Sequence, residues 1–155
     1  MLLPRNNNMK LHKILLTFAV LCLVSVTAYA AQAQGSDAAE QKLLGKHLFS
    51  LQWISWEKFG TATVTRKNDG GLHVDARQEL SGDYVTLKGD IRVVDAKEFI
   101  VTGELVTCVN YINGGNPCAR NGTFTFKATG NRKYWRMQEM TNPCENLVDY
   151  VDIYF

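Results

Sequence analysis

Thr123-Phe124-Thr125-Phe126-Lys127-Ala128, then Gly130-Asn131, then Lys133-Tyr134-Trp135-Arg136-Met137-Gln138 are the residues whose reading decides the fold. The first run alternates polar and apolar side chains, Gly-Asn suits a two-residue turn at positive φ, and the third run alternates again. Residues 122–140 therefore predict a β-hairpin. With Gly130-Asn131 as the loop, Phe126 faces Trp135 and Phe124 faces Met137 on an apolar side, while Thr125 faces Arg136 on the other. A slip of one residue would set Phe126 against Arg136 and spoil that side, so turn and pattern select one register.

Upstream, Val85, Leu87, Gly89, Ile91 and Val93 alternate with Thr86, Lys88, Asp90 and Arg92. Past the short Asp95-Ala96-Lys97 connection, Phe99, Val101, Gly103, Leu105 and Thr107 repeat the pattern. Each of these long strands carries an inward glycine, Gly89 or Gly103, where a sheet can coil sharply or another backbone approach. Thr61–Arg66 and Leu72–Leu80 read as strands joined through Asn68-Asp69-Gly70-Gly71, and Ser81-Gly82-Asp83 turns into the next. Phe49, Leu51 and Trp53 suggest a first strand, with an amphipathic helix as the competing reading. Before it, Gln34–Gln41 reads as a loose lead-in, and Lys42–Lys46 closes a short helix with Gly45 as terminator. After the hairpin come a loop over 141–146 and a last strand over 148–155, with Val151, Ile153 and Phe155 on one face. The fold class is all-β: an antiparallel meander of seven or eight strands closing into a small barrel, which removes its edges.

The first 30 residues read as a signal peptide. Lys10 and Lys13 precede an apolar run from Ile14 to Val26, and Ala28-Tyr29-Ala30 is a cleavage site, with a second after residue 33. An uncleaved membrane anchor is the alternative, but a spanning helix needs about 20 apolar residues. Residues 31–155 then form one domain, with no integral membrane segment after cleavage, in the periplasm or outside a bacterial cell. Arg5, Lys10 and Lys13 leave with the signal, so of 17 Lys and Arg residues 14 remain against 15 Asp and Glu. That balance speaks against a nucleic-acid partner.

Three cysteines remain, Cys108, Cys118 and Cys144. An oxidising compartment predicts one disulfide and one thiol. Cys118 with Cys144 would tie the Asn142-Pro143 loop to the base of the hairpin; Cys108 with Cys118, flanking the Asn113–Asn116 turn, is the rival pairing.

His47 and His73 lack ligand spacing, and no serine, cysteine or glycine-rich motif supplies a nucleophile with its base, so the reading is non-enzymatic, with no cofactor and no metal. Asp149 and Asp152 fall on opposite faces of their strand. Arg132, Lys133, Arg136 and Tyr134 form a basic group that reads either as a stacking surface or as a solvated outer face. An eight-stranded barrel is just wide enough to be filled by side chains or to hold one small ligand. The expected lining of such a chamber is Trp53, Leu87, Gly89, Gly103, Leu105, Phe124, Phe126, Trp135 and Met137, for a small apolar or amphipathic ligand. The alternative is an envelope protein partner met by a sheet edge or a tyrosine-rich face.

Three resemblances bear on this. Leu44-Gly45-Lys46 before an aromatic strand and a meander resembles the start of a lipocalin barrel, with His47 where that family has tryptophan; the resemblance implies a ligand chamber. Val151, Ile153 and terminal Phe155 resemble the closing strand of small outer-membrane β-barrels. Against that, Lys88, Asp90, Arg92, Lys127 and Arg136 lie where a lipid-facing wall would be. The C-terminal third, from Arg132 through Phe155, is similar to small exported bacterial proteins of unknown function, which implies a compartment and no activity.

Overall fold

The computed structural model describes residues 37–155; the expected signal segment lies outside them. The strands are β1 (Gly45–Leu51), β2 (Gly60–Arg66), β3 (Leu72–Leu80), β4 (Asp83–Asp95), β5 (Glu98–Cys108), β6 (Cys118–Lys127), β7 (Tyr134–Met137), β8 (Thr141–Asn142), β9 (Leu147–Val148) and β10 (Val151–Tyr154). Eight of them close a barrel in the order β1-β10-β7-β6-β5-β4-β3-β2, and β8 pairs only with β9. All pairings are antiparallel, and β10 shuts the barrel by pairing Phe49 with Ile153 and Leu51 with Val151. The expected closed meander is therefore the fold, and closure leaves no edge strand in the barrel for a partner to extend.

Local chemistry sets the ends of the elements. A short helix, residues 37–43, starts inside the expected loose lead-in because Ala39 and Leu43, four apart, both bury themselves. Gly45 then takes φ +105°, a conformation that a side chain would strain, and β1 begins. Trp53, expected in that strand, lies beyond it. The Leu51 amide donates to Gln78 Oε1 at 2.7 Å and the Leu51 carbonyl accepts from Ile54 at 3.0 Å, which ends the ladder. Gln78, buried inside the barrel, also donates to the Ser55 and Lys58 carbonyls and so fixes the β1–β2 loop.

The 122–140 hairpin forms, but two residues out of the expected register: Phe126 pairs with Met137 and Lys127 with Arg136. The Thr129–Arg132 turn is present, its Arg132 amide bonded to the Thr129 carbonyl at 3.3 Å. The strands do not zip up to it, because Lys133 gives its carbonyl to the Phe155 amide and Ala128 gives its amide to the Lys97 carbonyl. A shift of two keeps every side chain on its expected face.

That face is a filled core. Phe49, Leu51, Val74, Val85, Leu87, Val101, Leu105, Phe126 and Met137 have 0% exposure, so not even a water-sized void borders them. Phe99 stacks on Phe126 at 5.1 Å and meets Trp135 edge-on at 5.4 Å. Gly89 and Gly103 face each other across β4 and β5. A Cβ on Gly103 would collide with the Lys88 carbonyl oxygen and come within 2.6 Å of Gly89 Cα; one on Gly89 would lie 2.5 Å from the Thr102 carbonyl oxygen. Of the uses foreseen for these inward glycines, the structure shows the close approach of another backbone.

Candidate functional site

The expected chamber lining is distributed as follows. Leu87, Leu105, Phe126, Trp135 and Met137 are packed in the core, with Phe124 buried beside them, and Gly89 and Gly103 hold the tight strand contact. Trp53 stands apart, half-buried at the end of the barrel that carries the β1–β2, β3–β4 and β5–β6 connections. There its indole donates to Asp149 Oδ1 at 3.1 Å.

Asp149 anchors a buried polar group at that end. Its Oδ2 accepts from Arg120 Nη2 at 2.7 Å and from Asn142 Nδ2 at 3.1 Å, and Arg120 Nη1 reaches the Thr141 carbonyl at 3.1 Å. Burial pushes the Asp149 carboxyl up and the Arg120 guanidinium down, each against the attraction of the other's charge. The crevice beside them, walled by Leu51, Thr107, Cys118 and Asn142, has no room for a water molecule. Apart from Arg120 Nε, which is buried without a partner, the polar atoms of the group bond to one another or to the nearby backbone, so this group closes the barrel end.

The expected Cys118–Cys144 disulfide is formed, with Cα atoms 6.1 Å apart, and Cys108 is the free thiol. Thr107, not Cys108, stands opposite Cys118 in the β5–β6 ladder, so Cys108 points to the other face. Cys144→Ser should lower unfolding free energy by about 2–4 kcal/mol through the freed unfolded chain, read as a drop in the urea midpoint. No such drop would mean the loop is held without the bond.

The outer wall over β1, β10 and β7 is different in kind. Asp152, on the outward face of β10, is nonetheless fully buried. Arg136 covers it as a two-pronged donor, Nε to Oδ1 at 2.8 Å and Nη2 to Oδ2 at 2.7 Å. The guanidinium in turn lies against the rings of Tyr150, 4.2 Å from its centroid, and Tyr134, 5.1 Å from its own. Tyr154 packs on Tyr134 at 5.3 Å and on Phe59 at 5.1 Å, and takes a hydrogen bond from Ser50 at 3.4 Å. Hydrogen bonding to Asp152 raises the Arg136 guanidinium above its ordinary range, and burial pushes the Tyr154 phenol up. Around this fixed centre Leu48 is 50% exposed, Phe59 37% and Tyr150 36%. Alternation alone placed Tyr134 and Arg136 on one outer face; Phe59 reaches it from the β1–β2 loop, which no periodicity announces.

The histidines lie elsewhere. His47 Nε2 is 2.7 Å from the Leu43 carbonyl and its Nδ1 3.0 Å from that of Tyr154, while His73 meets Asp90 at 2.9 Å. Among the described residues no helix is long and apolar enough to cross a membrane.

The architecture defines a class: a small eight-stranded antiparallel barrel with a filled apolar interior, a charged outer wall and one disulfide. Within that class the chain belongs to the PM1083 family, whose model matches residues 31–155. It is 48% identical, over 137 residues, to an uncharacterised protein of Pasteurella multocida strain Pm70, covering 87% of this chain and 89% of that protein. This bears out the similarity to small bacterial proteins of unknown function. No solved structure matches the chain, and the lipocalin resemblance gains no support.

Proposed function

We propose that this protein is a non-enzymatic binding protein of the bacterial periplasm or exterior, which engages a protein partner through the tyrosine face on β1, β7 and β10. The observation that carries this reading is the array itself: tyrosines and an arginine locked over a buried aspartate, with exposed Leu48, Phe59 and Tyr150 around them. Tyr, Trp and Arg are the residues that dominate binding energy at protein interfaces. A centre already held in place by ring stacking and a two-pronged ion pair loses little freedom when a partner covers it. The disulfide and the lack of a long apolar helix among the described residues are compatible with an exported, soluble chain. A ligand chamber within the barrel is not part of this reading, because the core is filled.

Photo-reactive p-benzoylphenylalanine in place of Leu48, Phe59 or Tyr150 should yield one discrete protein adduct in intact cells. In place of Thr102 or Glu104, on the opposite wall, it should yield none. Tyr150→Ala should reduce the Phe59 adduct several-fold. Equal adducts from both walls, or none from either, would remove the reading.

A further inference from the structure

At the end of the barrel opposite Asp149, four cations surround a cleft of about 290 Å³: Lys42 from the helix, Lys97 from the β4–β5 turn, and Arg132 and Lys133 from the β6–β7 loop, with Ala128 and Phe155 as its apolar part. Three other cations near this end are answered by carboxylates. Arg66 pairs with Glu40 at 2.8 Å, Lys67 with Asp90 at 2.8 Å and Lys127 with Glu98 at 2.6 Å. Among the described residues, none of the four cleft cations has a carboxylate within 4.0 Å.

We propose that this cleft binds a phosphate group, free or carried on a lipid, between Lys42, Lys97 and Lys133. Lys42 is held for the purpose: its ammonium lies 3.3 Å from the Phe155 ring centroid and 5.0 Å from that of Trp135. Burial lowers the Lys42 ammonium first, and the charges of Lys133 and Lys97 lower it further, so the three groups repel one another. Keeping like charges together costs stability, and a bound anion removes that cost. A phosphate suits the site better than a carboxylate, since its oxygens can take donors from several sides at once. The Phe155 ring and Ala128 leave an apolar surface next to the anion for a short hydrocarbon. The cleft adjoins the tyrosine face through Arg132, whose guanidinium lies 5.5 Å from the Tyr134 ring centroid, but the phosphate is held by Lys42, Lys97 and Lys133.

Isothermal titration of the protein, purified from cells expressing the full chain, with hexyl phosphate and with inorganic phosphate at low ionic strength gives the first measurement. Co-sedimentation with vesicles of equal parts phosphatidylglycerol and phosphatidylcholine, against phosphatidylcholine alone, gives the second. Hexyl phosphate should bind, and the double variant Lys97→Ala/Lys133→Ala should weaken it at least about tenfold. Lys88→Ala, whose ammonium pairs with Asp75 at 3.1 Å on the outer wall, should leave binding unchanged. Recruitment to the anionic vesicles that depends on Lys97 and Lys133 would identify a lipid headgroup; binding in solution without recruitment would identify a free phosphate compound. The proposal is overturned if neither the phosphates nor the vesicles bind, if the double variant binds as well as the wild type, or if Lys88→Ala weakens binding equally.

Discussion

Gly103→Leu should cost at least about 3 kcal/mol of unfolding free energy, enough to leave much of the chain unfolded at ordinary temperature. The added Cβ has nowhere to go. It meets the Lys88 carbonyl oxygen and Gly89 Cα, both main-chain atoms of the paired strand, and backbone in a hydrogen-bonded ladder cannot rotate aside as a side chain can. Opening the β4–β5 pair to make room would break ladder bonds on both sides of the register Gly89↔Gly103. Gly82→Ala is the comparison: that glycine has φ +94° but nothing within 4 Å of a built Cβ, so only local strain of about 1–2 kcal/mol is expected. Urea denaturation of the three proteins decides it. A Gly103→Leu protein as stable as the wild type would mean that the two strands are not in close contact.

The second large effect belongs to the buried ion pair. Asp149→Leu should destabilise by about 3–5 kcal/mol, because Arg120 would keep its charge out of water with no counter-charge. The side chains are 1% and 9% exposed respectively, so solvent does little to screen the loss. Adding Arg120→Met to Asp149→Leu should recover much of the stability, since removing both charges spares the desolvation that burying either one demands. A double-mutant cycle from denaturation midpoints measures the coupling. Additive losses would show that Trp53 and Asn142, and not the guanidinium, make Asp149 important.

Much of this was legible in the alternation of side chains. The meander, its closure and the inward faces of β4 and β5 follow from residues that repeat with period two and from turns marked by glycine and asparagine, whereas the sequence left Cys118 to pair with either Cys144 or Cys108. Reading the hairpin loop as two residues fitted the local sequence. The true spacing depends on Lys133 and Ala128 finding partners in Phe155 and Lys97, which are remote in the chain. The same limit applied to Arg120. It shares parity with Cys118, Phe124 and Phe126, and Asp149 shares parity with Val151 and Ile153, so both carried an inward signal. What no alternation tells is that two inward charges of opposite sign meet at one end of the barrel. The glycines were read both as points where another backbone could approach and as chamber lining: an absent side chain is equally consistent with empty space and with a neighbour pressed close, and only the paired strand distinguishes them.

The barrel is shut by the pairing of β1 with β10, and that fixes when it can form. Phe49 and Ile153 are far apart along the chain, and the His47 ring spans a sequence separation of 107 to reach the Tyr154 carbonyl. Contacts of such range close slowly, since the loop entropy is spent before they return anything. Hairpins from β2 through β6 can assemble as each pair becomes available, yet β1 has only β2 beside it until residues 151–154 arrive. During that interval the outer edge of β1 and its apolar side chains Phe49 and Leu51 are uncovered, which is the state most open to aggregation. The short helix at residues 37–43, which buries Leu43, reaches its final packing only once the barrel is closed. Closure of the barrel is therefore the late step, and it waits on β10.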